Sequence, residues 1–90
     1  MGRWPSPDTP LYNHSLTAIE EWLRALGAQQ DEQERHRWFL QQRDWQAELS
    51  LEIEELRVRY RGAAGGRDVV RHFRYSLSRQ EVETGILQGP

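Results

Sequence analysis

The sequence predicts one α+β domain in the order α-β-β-β-α, with two helices packed on one face of an antiparallel three-stranded sheet. Three observations predict it. From Trp45 to Glu54 apolar and polar residues alternate without an error, the two-residue period of a half-buried strand. Leu16, Ile19, Trp22, Leu23 and Leu26 fall on one face of a helix. Ser78 and Glu81 have the spacing of a capping box, which opens a second helix. Ninety residues are enough for one domain with a thin core.

Taken in order, the chain opens on an arm. Pro5, Pro7 and Pro10 fix φ and push their predecessors toward extended backbone, so residues 1–10 read as an extended proline-rich arm and 11–90 as the domain. Trp4 in this arm either docks on the domain or stays loose. Thr17 with Glu20 makes one capping box for the first helix, and Ser15 competes as N-cap. Gly27 suits the left-handed residue after that helix. Ala28–Glu34 is polar and reads as a loop. Trp38, Phe39 and Leu40 mark a strand within Arg35–Gln42, and Arg43-Asp44 a tight connection.

In the long alternating stretch, Ala47, Leu49, Leu51 and Ile53 share one side. The phase then slips, and Leu56, Val58 and Tyr60 become the apolar residues. Seventeen residues at about 3.3 Å each would span roughly 56 Å, far beyond a domain of this size. The strand must therefore bend. A two-residue hairpin of the favoured type asks for positive φ at both tip residues, which glutamate resists, so a β-bulge near Glu54-Glu55 is expected. Gly62–Gly66 is a turn with no phosphate-loop pattern. Arg67–Leu77 follows as a strand with Val69 and Phe73 on one side and Val70, His72 and Arg74 on the other. Val82, Ile86 and Leu87 are the inward candidates of the last helix.

Charge and composition exclude several functions. Net charge is −2, with no cysteine and a mean hydropathy of −0.89. No disulfide, thiol nucleophile or cysteine-based metal site is available, and no apolar run approaches the ~20 residues of a membrane span. His14, His36 and His72 lack metal-ligand spacing. Neighbouring Glu54 and Glu55 would point to opposite faces of a strand. No enzyme, cofactor or metal is expected.

The distribution of charge is uneven: residues 1–34 carry net −4 and residues 35–79 net +4. All twelve basic residues are arginine, which suits bidentate pairing and which a GC-rich genome also produces. With both helices on one side, Arg57, Arg59, Arg61, His72 and Arg74 are left on the other. Glu48, Glu52 and Glu54 precede them, opposite Arg35 or Arg37. Such a surface either neutralises itself in solvent or, as a bipolar face, orients a protein partner. An edge strand also permits a homodimer. The element order is shared with double-stranded-RNA-binding domains, but the net negative charge and the acidic start of the second helix disfavour nucleic acid.

Four segments carry a family resemblance: Ser6–His14 (SPDTPLYNH), Ile19–Leu23 (IEEWL), Trp45–Leu49 (WQAEL) and Arg74–Gln80 (RYSLSRQ). Across about Ser6 to Pro90 the chain resembles a small uncharacterised family of cyanobacteria with relatives in plastids. It departs from that pattern at Ser15 and Thr17, where prolines are expected, which leaves the helix start less defined. The resemblance implies a phototroph's cytosol or the stromal face of thylakoids. It also implies a non-enzymatic accessory or assembly factor, connected with photosystem I. Tyr12, Asn13 and His14 are then a second candidate site, or a structural bracket before the helix. An RNA binder and a small homodimeric structural protein are the competing readings.

Overall fold

The computed structural model describes residues 7–90. A 3-10 turn, Leu11–Asn13, precedes helix α1, Leu16–Ala25. Strands β1 (Gln29–Gln30), β2 (Arg37–Gln41), β3 (Gln46–Leu51), β4 (Glu55–Ala64) and β5 (Arg67–Arg74) follow, and helix α2, Arg79–Leu87, ends the fold. The α+β class is as predicted, but the sheet has five strands rather than three. Every strand pairs antiparallel with its neighbour in sequence. The extra strands have separate causes. Gln29 and Gln30 pair with Phe39 and Trp38 at one edge, and the long stretch is two strands.

That division is the main correction. The expected bulge at Glu54-Glu55 is a hairpin with Ile53-Glu54 at its tip, and Leu51 faces Leu56 across it. No described non-glycine residue has positive φ, so the tip avoids the backbone that glutamate resists. The Glu52 N–H donates to the Glu55 carbonyl at 3.0 Å. The Glu52 carbonyl accepts from the Tyr75 hydroxyl at 2.6 Å. A side chain from beyond β5 thus anchors the turn, which frees it from the favoured geometry. The molecule's longest dimension, 39 Å, bears out that no straight strand of that length fits. A register irregularity does occur, but between Tyr60 and Ala64, where Gly62 adopts φ +62°. The next hairpin turns on Gly65-Gly66, both with positive φ, as a two-residue loop prefers.

Alternation now explains the layers. Trp38, Leu40, Ala47, Leu49, Leu56, Val58 and Tyr60 form the buried face. Helix α1 lays Ile19, Trp22 and Leu23 on it, and α2 lays Val82 and Ile86. Ser15, rather than Thr17, caps α1 by accepting from the Ala18 N–H at 3.2 Å. At the other end Gly27 takes φ +101°. The Gly27 and Ala28 N–H groups return to the Arg24 and Leu23 carbonyls, each at 3.0 Å. Ser78 and Glu81 close the predicted capping box, whereas Leu87 stays exposed.

Two contacts lock α2. The Tyr60 hydroxyl donates to the Ile86 carbonyl at 2.7 Å. Glu83 accepts from the Trp22 indole at 2.9 Å and from Arg79 at 2.6 Å, joining the helices. Of the arm, Pro10 bridges Ser78 and the Pro7 carbonyl accepts from the Gln80 N–H at 3.2 Å. Trp4 and the earlier residues of the arm lie outside the described residues.

Candidate interaction surface

Both helices occupy one side of the sheet, so its other face is open. Register arranges that face in cross-strand rows. One row runs Phe39, Glu48, Arg59, Val70, and the next Arg37, Ser50, Arg57, His72. Arg74 stands opposite Glu55. Arg57, Arg59, His72 and Arg74 therefore share the outer face. Arg61 lies within the register irregularity that follows Tyr60, beside Gln41 and Gln46.

The acidic and basic stretches do not make two poles. Because β3 folds back on β4, Glu48 is set directly opposite Arg59. Arg37 Nε lies 3.3 Å from Glu48 and its Nη1 3.5 Å from Asp31. Arg59 Nε is 3.9 Å from Asp68, and His72 Nδ1 contacts Glu55. Exposed pairs of this kind contribute about 0–1 kcal/mol each. Arg61 and Arg74 have no ion pair among the described residues. On the β4–β5 half Arg57, Arg59 and Arg74 outnumber Glu55 and Asp68, so that half keeps a net positive character.

At the hairpin tip, the hydroxyl of buried Ser50 donates to the Glu52 carboxylate. That bond is the chief reason the carboxylate is held below its usual range, with the charges of Arg57 and His36 adding to it against burial. Phe39 and Val70, 41% and 43% exposed, also stand on the outer face; the sequence places Val70 there beside His72 and Arg74 but gives Phe39 no side. The signal for Phe39 was present, since three consecutive apolar residues on a strand cannot all face inward.

Tyr12, Asn13 and His14 form a separate cluster. The Leu11 and Tyr12 N–H groups donate to the Leu77 and Tyr75 carbonyls at 3.1 and 3.0 Å, and Leu11 is fully buried. The turn therefore braces the chain against the end of β5. It also walls a cleft of about 250 Å³ with Tyr12, His14, Leu16, Leu51, Glu52 and Tyr75. His14 Nε2 is buried with no hydrogen-bond partner among the described residues. Glu52 lines both this cleft and the shallow depression holding Arg57 and His72, so the β3–β4 tip separates the two groups.

Among the described residues, no cluster of His, Asp and Glu could hold a metal ion. No helix there is long and apolar enough to cross a membrane.

These features define a small α+β domain with a five-stranded meander, one helical layer and an uncovered, arginine-bearing sheet face. The chain belongs to the family described as "Protein of unknown function (DUF3143)", whose model matches residues 26–89. No curated protein and no solved structure matches it.

Proposed function

We propose that the chain is a non-enzymatic protein-interaction module that receives an acidic protein surface on its outer sheet face. One observation carries the reading. Packing both helices on one side leaves Arg57, Arg59, His72 and Arg74 together on open sheet, with only Arg59 and His72 in ion pairs. Arginine forks on a rigid sheet suit carboxylate recognition, because less side-chain freedom is lost per bond formed. The resemblance to a cyanobacterial and plastid family supports looking for the partner among photosystem I subunits and their assembly factors, in the cytosol or on the stromal face of thylakoids.

The test is a pull-down from phototroph lysate with the wild type and the Arg57→Ala/Arg59→Ala/Arg74→Ala variant. Photosystem I components should be enriched by the wild type and lost with the variant, and recovery should weaken as salt is raised. Identical recovery by both proteins would remove the face from consideration. Binding of duplex RNA with a steep salt slope would replace the reading with a nucleic-acid one.

A further inference from the structure

The edges of the sheet are unequal. At one edge β1 is two residues long, too short to template another strand. At the other, β5 runs for eight residues and, among the described residues, pairs only with β4. Asp68, Val70, His72 and Arg74 are exposed there. Such an edge offers a row of backbone donors and acceptors to a further strand. On its own strand Val70 is an exposed valine flanked on the same face by Asp68 and His72.

A second copy of the chain can supply the missing strand. A two-fold axis normal to the sheet runs two β5 strands antiparallel and pairs only residues of the same face. Centring the axis on Val70 places the two valines together. Asp68 of each copy then meets His72 of the other, and Gly66 meets Arg74. On the helical side Val69 meets Arg71, and Arg67 meets Phe73. No arginine opposes an arginine. Moving the axis to Val69 sets Arg67 against Arg71, and moving it to Arg71 sets two Arg71 residues face to face. Like charges directly opposite are destabilising, so charge disfavours both of those neighbouring registers, and the Val70-centred one adds an apolar pair at its middle.

We propose that the protein forms a two-fold homodimer through β5, centred on Val70, giving a continuous ten-stranded sheet. Both helical layers fall on one side of that sheet and both arginine-bearing faces on the other. The dimer does not depend on what the outer face binds.

The chain has no native cysteine, so single-cysteine variants report the register directly. Treated with a short bis-maleimide, Val70→Cys should yield covalent dimer. Asp68→Cys and His72→Cys should each give little alone and couple efficiently when mixed. Sedimentation of the wild type should show a dimer that dissociates on dilution. Val70→Lys, a change on an exposed side chain checked by circular dichroism for folding, should raise the dissociation constant about tenfold or more. A wild type that stays monomeric at every concentration overturns the proposal. So does self-coupling of Asp68→Cys, or a folded Val70→Lys that dimerises as well as the wild type.

Discussion

A hydrogen atom in place of a methyl group matters most at Gly85. A Cβ built there collides with the ring of Phe73, with Cζ only 2.9 Å away. Alanine would raise helix propensity by about 1 kcal/mol, but overpacking costs about 1–3 kcal/mol, and a half-buried aromatic ring has little room to yield. Gly85→Ala should therefore lower stability in urea unfolding, and pairing it with Phe73→Leu should recover most of the loss. Tyr75 gives a second residue-scale prediction. Burial, helped by the charges of Glu52 and Glu55, pushes its hydroxyl up to about 12, against about 10 in an unfolded chain. The folded form keeps a proton that the unfolded form releases, so this stabilisation is complete below pH 10 and disappears as pH rises from 10 through 12. Tyr75→Phe should flatten part of that decline in thermal melts between pH 9 and 12. Tyr60, also raised by burial, accounts for a further part. At neutral pH the same substitution should cost about 0.5–1.5 kcal/mol through the lost bond to the Glu52 carbonyl.

At the scale of elements, legibility followed the range of the interactions involved. Helix α2 could be read because its start is set by residues three apart, Ser78 and Glu81, and the capping box forms as spaced. The inward residues of β3 and β4 could be read because alternation is local. The hairpin between them could not, since its tip depends on Tyr75, more than twenty residues away. Strand β1 was invisible because two glutamines carry no period and are held by pairing with Phe39 and Trp38. Between α1 and α2, Glu83 accepts from the buried Trp22 indole. Glu83→Ala would leave that N–H without its partner, and equilibrium unfolding should register a loss of about 1–3 kcal/mol. Glu83→Gln keeps an acceptor and should lose less.

For the molecule as a whole, the parity of strand residues sufficed to assign Arg57, Arg59, His72 and Arg74 to one face. How far that face is neutralised was illegible, because it depends on register: Glu48 meets Arg59 only once β3 folds back on β4. The cleft at His14 was illegible for a similar reason, since it exists only where the first turn meets the end of β5. The Trp22–Glu83 bond spans 61 positions, whereas all four strand pairings join sequence neighbours. Short loops close at less entropic cost than long ones, so the meander can zip up hairpin by hairpin before the chain ends meet. The terminal helices then act as a late latch, and Glu83→Ala should speed unfolding while leaving the refolding rate nearly unchanged in stopped-flow measurements. Until that latch closes, a sheet without its helices presents Trp38, Leu49 and Tyr60 to solvent, which makes that state the one most open to association with other chains.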